Sequence, residues 1–172
     1  SEIEINEFNK YLDYFNYNFN DNSKEKNGYI IFKIKKIAFI MDIGNSPDTK
    51  YSEKYQSGSL SFEITTNGEK LICNSGFNDN KQFVLLSKST AAHSTLYLDN
   101  HSSCTFKTNS IFKTYQKNHL KEGLKIEKKK ITSDKESEII VVSHNGYKKR
   151  YGYTHERSIK FFKKKENFSW NR

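Results

Sequence analysis

The 172 residues of this chain suit one domain, and its 13 Phe and 11 Tyr supply enough apolar area for a substantial core. No apolar run reaches the roughly 18–20 residues that cross a bilayer, so the sequence predicts no membrane span. The net charge of +9 attracts polyanions without choosing among nucleic acid, acidic polysaccharide and an anionic membrane surface.

The pattern changes near residue 28. Residues 1–27 are polar and show no sustained hydrophobic period, so we expect a linker or the end of a preceding domain there. Residues 28–172 read as one β-domain. Its first two segments, residues 29–34 and 37–43, are rich in β-branched and aromatic side chains and predict a hairpin.

A second hairpin follows a polar loop. Leu60, Phe62 and Ile64 alternate with polar residues, which is typical of a half-buried strand. Asn67-Gly68 supplies the positive-φ turn that joins paired strands, and the chain returns through residues 71–74. Further strands are predicted at residues 94–99, 103–107, 124–132, 138–144 and 153–162. Short, evenly spaced strands of this kind favour an all-β, antiparallel β-sandwich.

Two histidines stand out by their surroundings. His93 has small residues on both sides, which leaves room for a ligand or for another backbone segment. His144 ends a buried strand beside Gly146, which lets the chain bend. Taken alone, either ring is better explained as a hydrogen-bonded residue at the core or its rim. The HxxxH and CxxC spacings are absent from the sequence, so a metal site has to be assembled from distant strands.

Other chemistry is poorly supported. The sequence has neither a GxSxG nucleophile elbow nor a glycine-rich phosphate loop before a helix. Basic residues at 128–130 and 148–150 lie near Tyr147, Tyr151 and Tyr153. Such aromatic and cationic mixtures stack on single-stranded nucleic acid or on sugar rings, or form a solvated face.

Three segments together form a more specific pattern. They are GSLSFEI at residues 58–64 with KLICNSG at 70–76; STAAHSTLYLD at 89–99 with SSCTF at 102–106; and HNGY at 144–147, leading through RYG to HER at 155–157. In this order and spacing they resemble the C-terminal β-domain of heparinase II/III-like proteins, over about residues 28–162.

The resemblance implies a supersandwich-like β-domain that is incomplete at its C-terminal end, beside an N-terminal α/α toroid missing from this chain. It implies a polysaccharide lyase, which neutralises a uronate carboxylate, abstracts the C5 proton and expels the 4-O-linked sugar by β-elimination. In the family, the Asn and Tyr for the first two steps come mainly from the toroid. We therefore expect the chain alone to be inactive.

The resemblance also implies site residues. His93 matches the family's AH(S/N)T block and is the candidate catalytic residue, facing the cleft or a nearby metal. Tyr147, Arg150 and His155 are candidate substrate-binding residues. Some members hold a structural zinc, for which His93 and His144 are the candidate ligands here. Residues 104–117 contain no acidic third ligand.

The leading hypothesis is thus the β-domain of a lyase acting on uronic-acid-containing acidic polysaccharide, of the glycosaminoglycan or alginate-like class. One alternative is a non-catalytic binding module for acidic glycan or single-stranded nucleic acid. Nucleic acid is the less favoured partner, because the composition spreads lysine over exposed positions generally. Another alternative is a structural role, packing against a helical domain. The compartment, periplasmic or cytoplasmic, stays open.

Overall fold

Strands dominate the computed structural model of the chain, which describes residues 10, 14, 24–34, 36–107, 118–163 and 168–171. The predicted linker at residues 1–27 lies largely outside these residues. Within them, sheet structure begins at Glu25, just before the predicted start of the domain. No helix in the described part is both long enough and apolar enough to cross a membrane.

The first sheet follows chain order and is antiparallel throughout. Its strands are β1 (Glu25–Lys26), β2 (Tyr29–Ile34), β3 (Ile37–Asp42), β4 (Phe62–Thr66) and β5 (Glu69–Ile72). The predicted turn between β4 and β5 is confirmed, since Asn67 and Gly68 have φ values of 52° and 83°. An equivalent Asn27-Gly28 turn joins β1 to β2.

The second sheet has the order β11-β10-β9-β8 among the described strands. These are β8 (Ile126–Ser133), β9 (Ser137–His144), β10 (His155–Phe162) and β11 (Phe168–Asn171). A separate pair consists of β6 (Thr105–Phe106) and β7 (Leu120–Glu122). The short helices are α1 (Val84–Lys88) and α2 (Lys148–Tyr151), and 3₁₀ turns lie at Thr49–Tyr51 and Thr90–Ala92.

The two larger sheets enclose a common core. Phe39 of β3 meets Phe161 of β10 edge to face, with ring centroids 4.7 Å apart. Phe32 of β2 lies 5.1 Å from the same ring. Ile140 and Val142 of β9 belong to the same buried cluster. Because side chains of both sheets interdigitate there, the fold is an antiparallel β-sandwich, as the sequence predicted.

The strand predicted at residues 94–99 is wrong. This segment forms a loop with an isolated bridge between Leu98 and His101. Its polar side chains bond directly to neighbouring backbone: the Ser94 hydroxyl donates to Phe62 O at 2.5 Å, and the Thr95 hydroxyl donates to Ser59 O at 3.0 Å. Side-chain bonds of this kind compete with a strand ladder.

Candidate functional site

The inward face of the second sheet turns polar at one end. Alternate residues of a strand share a face, so β10 presents His155, Arg157, Ile159 and Phe161 on the same side. His144 of β9 lies directly opposite His155 in the strand register. The apolar core therefore ends in two imidazoles and a guanidinium.

His144 and His155 form a buried, neutral pair. Their ring centroids lie 4.9 Å apart, and His144 is 1% exposed. The Gly146 N–H donates to His144 Nδ1 at 3.0 Å, so neutral His144 carries its proton on Nε2 and donates it to His155 Nδ1 at 3.1 Å. Burial, together with nearby Arg157, lowers the pKa of His144 to about 4 and that of His155 to about 3.

His93 lies in a loop beside this polar end, which we call the His93 loop (residues 89–103). The ring follows the 3₁₀ turn Thr90–Ala92, in which the Ala91 N–H donates to the capping Ser89 hydroxyl. His93 Nδ1 lies 2.8 Å from Ser89 O. A carbonyl only accepts, so Nδ1 carries a proton. The ring is half-buried, outside the core between the sheets.

The other ring nitrogen of His93 faces Gln56. Nε2 lies 3.2 Å from the side-chain oxygen of Gln56, while the Gln56 amide nitrogen is buried without a partner among the described residues. With Nδ1 protonated, neutral His93 needs a donor at Nε2. We therefore assign the Gln56 amide the opposite way round, with its nitrogen donating to the ring. Burial lowers the pKa of His93, which keeps the ring neutral at neutral pH.

The backbone of Gly58 packs directly against the His93 ring. A β-carbon built on Gly58 would lie 2.7 Å from His93 Cδ2 and 3.2 Å from Nε2, so this position leaves no room for a side chain. The backbone of Gly58, the Ser89 carbonyl and the Gln56 amide thus fix the ring on three sides. Together they specify one orientation for His93.

Replacing Gly58 by alanine should displace the His93 ring and destabilise the domain by roughly 1–3 kcal/mol, the usual cost of overpacking. Urea unfolding gives the free energy, and the ring resonances of His93 report its displacement. Gly44→Ala is the matched control, since its β-carbon would lie 3.4 Å from the nearest atom. Unchanged His93 resonances in folded Gly58→Ala would contradict the packing described here.

The base of the His93 loop is fixed by hydroxyl groups. The Thr90 hydroxyl donates to Ser57 O at 2.8 Å and accepts from the Ser103 N–H at 3.0 Å. The Thr90 N–H donates to the Ser102 hydroxyl at 3.1 Å. Thr90 itself is fully buried. The two ends of the loop are therefore held together beneath His93.

The predicted substrate-binding residues occupy different environments. Tyr147 is 1% exposed and donates its hydroxyl to Leu96 O at 2.7 Å, so it supports the His93 loop from below. Burial raises the pKa of this phenol to about 12. His155 is buried in the pair with His144. Arg150 is exposed on α2. For all three, contact with substrate stays a prediction.

Arg150 lies at a cavity of about 580 Å³ between the β9–β10 connection and the end of the His93 loop. Its lining includes Ser102, Glu122, Asn145, Tyr147 and Tyr151. Two lysines at this cavity already have acidic partners: Lys149 pairs with Glu122, and Lys148 pairs with Glu127 at 2.9 Å. Arg150 forms no ion pair with any described residue, which leaves its guanidinium available to an anionic ligand.

The lysines of β8 are also partly neutralised. Lys128 pairs with Glu156 at 2.8 Å, and Lys129 pairs with Glu25 at 2.6 Å. All four side chains are partly exposed, so each pair contributes little to stability. The ion pairs matter for electrostatics, because they leave fewer uncompensated cations on β8 for a phosphate backbone than the sequence indicates.

The described residues do not fit the predicted zinc site. Both ring nitrogens of His93 and of His144 are engaged by protein partners. Within the ranges described, no three His, Cys, Asp or Glu side chains lie close enough to hold an ion. A structural zinc needs four ligands with available electron pairs.

Sequence reasoning missed two residues near His93: Gln56, which faces its ring, and Arg157, which donates to the carbonyl of the next residue, Ser94. Gln56 lies in a polar loop with no pattern that marks it. Arg157 carried a usable signal: a charged residue stands at an inward position of β10, between His155 and Ile159. Alternation along the strand indicates that such a side chain needs a specific partner.

Comparison with known proteins bears on most of the chain. The family model described as heparinase II/III-like, C-terminal matches residues 18–169. The chain belongs to this family. The match begins before residue 28 and runs past β10 into β11. No protein in a search of curated proteins matches this heparinase II/III-like domain.

A solved structure shares the fold. It is a mutant of the heparan sulfate lyase HepC from Pedobacter heparinus, with a TM-score of 0.59 at 16% identity. The alignment covers 93% of the present heparinase II/III-like domain and 26% of that chain. The domain thus spans about a quarter of that lyase's length, and at this identity the likeness establishes the fold.

Proposed function

We propose that this heparinase II/III-like domain is the β-domain of a polysaccharide lyase that cleaves uronic-acid-containing acidic polysaccharide by β-elimination. The observation that carries the proposal is His93, a neutral ring held in one orientation at the edge of the sandwich, within the region that matches the family. We assign the catalytic toroid to residues outside this chain. In keeping with this, the chain aligns to 26% of the heparan sulfate lyase.

The reaction needs three groups. In β-elimination the C5–H bond breaks, its electron pair forms the C4=C5 double bond, and the C4–O bond breaks as the departing oxygen takes a proton. One group neutralises the carboxylate, one removes the C5 proton and one protonates the leaving oxygen. The chain's own contribution is His93: its unprotonated Nε2 accepts a proton or hydrogen bond from the sugar once Gln56 is displaced.

Arg150 is the residue that we assign to the anionic groups of the glycan. Guanidinium pairs with carboxylate and sulfate through two parallel hydrogen bonds, which suits a uronate or a sulfated sugar. The cavity at Arg150 has a volume typical of sites that hold a small ligand. Tyr147 contributes indirectly, by supporting the His93 loop through its hydrogen bond to Leu96 O. His155 contributes indirectly as well, by pairing with His144 where β9 and β10 join their connection.

The chain should bind heparan sulfate and alginate oligosaccharides, and Arg150→Ala should weaken that affinity by roughly 3–10-fold, as expected for one exposed charged contact. Isothermal titration calorimetry at moderate salt measures it. Lys70→Ala is the control, because Lys70 is an exposed cation on β5, outside this cavity.

Two results would overturn the assignment. Neutral dextran bound as tightly as the uronate polymers would show that the site does not recognise acidic sugar. Accumulation of ultraviolet-absorbing unsaturated product with the chain alone would show that the catalytic groups lie within these residues.

A further inference from the structure

Arg157 makes contacts that its place on a core-facing strand does not require. Its Nη1 donates to Leu60 O at 2.5 Å and to Ser94 O at 2.7 Å. Its guanidinium carbon lies 5.1 Å from the centre of the Phe62 ring. Burial lowers the pKa of Arg157 to about 10, yet the group remains a cation at neutral pH.

The two carbonyls that Arg157 joins belong to the two segments that meet at His93. Ser94 directly follows His93 in the chain. Leu60 lies within the turn from Gly58 to Ser61, which the Ser61 N–H closes by donating to Gly58 O at 2.8 Å, and Gly58 is the residue packed against the imidazole. One guanidinium nitrogen therefore connects the segment that carries the ring to the segment that packs on it.

The turn at Leu60 adds to this argument. Leu60 has a φ of 61°, in the left-handed region that costs roughly 1–2 kcal/mol for a residue with a side chain. The Leu60 N–H is bonded to Asp42 O at 2.8 Å, and its carbonyl accepts from Arg157. Strained backbone persists where surrounding contacts hold it. Here Arg157 supplies one of those contacts.

Ser94 is fixed from its other side as well. Its hydroxyl accepts from the Phe62 N–H at 2.9 Å, and its own N–H donates to the Asn74 side-chain oxygen at 2.8 Å. Phe62 is also the ring beneath the guanidinium. Hydrogen bonds from several directions therefore fix Ser94, the residue after His93, and Arg157 holds its carbonyl.

We infer that Arg157 is a positioning residue for His93: by clamping the carbonyls of Leu60 and Ser94 it holds the imidazole against Gly58 with Nε2 directed at Gln56 and, in turn, at the sugar. This inference rests on the proposed function for the role of His93, whereas the clamp itself concerns this chain's geometry alone. Arg157 acts through the loop and does not contact the substrate.

The test compares Arg157→Gln and Arg157→Lys with wild type in two measurements. The ¹⁵N shifts of the His93 ring report which nitrogen carries the proton. Calorimetry with heparan sulfate oligosaccharide reports affinity. Lys160→Gln, on the same strand but outside this contact set, is the matched control, and the His101 ring serves as an internal reference.

In Arg157→Gln we expect the His93 nitrogens to shift toward a mixture of tautomers, while His101 is unchanged. Affinity should fall by up to roughly tenfold, in line with the loss of one hydrogen bond between the oriented His93 ring and the sugar. His93→Gln should cause a similar loss, and the double variant should lose little more, because both changes remove the same oriented ring. Arg157→Lys should recover part of the effect, since an ammonium can reach both carbonyls but lacks the planar face over Phe62.

Unchanged His93 shifts in a folded Arg157→Gln protein would overturn the positioning role, as would additive losses in the double variant. If Arg157→Gln does not fold, the ring shifts of Arg157→Lys decide by the same criterion. Wild-type protein that binds no acidic glycan, while its His93 shifts still depend on Arg157, would overturn the proposed function and leave the clamp standing.

Discussion

Replacing Lys88 by methionine should lower the free energy of unfolding by about 2–4 kcal/mol. Lys88 has no exposed surface, and its ammonium donates to the carbonyls of Ser52 at 3.4 Å, Glu53, and Asn118 at 2.6 Å. Methionine fills a similar volume but leaves these acceptors without their donor. The ammonium also lies 4.7 Å from the centre of the Phe106 ring, a contact that the substitution removes.

Urea unfolding followed by circular dichroism measures the change. Lys54→Met, at an exposed position near the same 3₁₀ turn, should shift stability by less than about 0.5 kcal/mol. An equal unfolding midpoint for Lys88→Met and wild type would show that the three carbonyls find other donors. Such a result would remove Lys88 as the link between α1, the Thr49–Tyr51 turn and the start of β7.

Acidification from pH 6.5 to pH 4.5 should destabilise the domain through the buried histidine pair. An unfolded histidine has a pKa near 6.5, whereas His144 and His155 titrate at about 4 and about 3 when folded. In this window the unfolded chain holds about two more protons at these positions, so stability rises with pH. The stabilisation is complete above pH 6.5 and is lost as the pH falls toward the folded values.

Asp42 acts in the opposite direction. Burial raises its pKa to about 6, although the Gly44 N–H bonded to its carboxylate favours the charged form. The folded protein therefore holds about one extra proton at Asp42 between pH 4 and pH 6, and this favours folding at the acid side. The histidine pair outweighs it, because two rings oppose one carboxyl. These three groups together give a slope of about one proton, or roughly 1.4 kcal/mol per pH unit, and His93, whose pKa is also lowered by burial, adds to it.

The free energy of unfolding, measured against pH, separates these contributions. In His144→Gln/His155→Gln the slope should fall by about two protons, whereas Asp42→Asn should raise it by about one. His101→Gln is the control, because that ring is exposed. A slope unchanged by the double substitution would mean that the pair is protonated in the folded state, contrary to its hydrogen bonds.

The sequence predicted the sandwich well because strand composition and turn residues are properties of short segments. β-branched and aromatic residues mark β2 and β3, and Asn67-Gly68 fixes a turn whatever surrounds it. The prediction of a strand at residues 94–99 was wrong for a physical reason. Its run Leu96-Tyr97-Leu98 has a composition typical of strands, but the Ser94 and Thr95 hydroxyls bond to backbone of another segment, which no short-range pattern reveals.

The site was predictable only in part. The small residues beside His93 and the family resemblance identify this histidine from the sequence alone. Gln56 and Arg157 are distant in sequence from His93, and both contribute through contacts that the fold alone creates. Tyr147 was selected for contact with sugar, yet its hydroxyl is donated to the Leu96 carbonyl. Aromatic residues near cations give the same sequence signal whether they are buried or exposed.

β8 closes one side of the second sheet, and no described strand pairs with its outer edge. Lys128, Lys129 and Lys130 are all exposed along it. An uncovered strand can template the addition of another molecule's strand, and charged side chains along such an edge oppose this, because a new strand would have to cover them. The exposed charged groups of β8, including the ion pairs Lys128–Glu156 and Lys129–Glu25, thus protect the domain against fibrous self-association in concentrated solution.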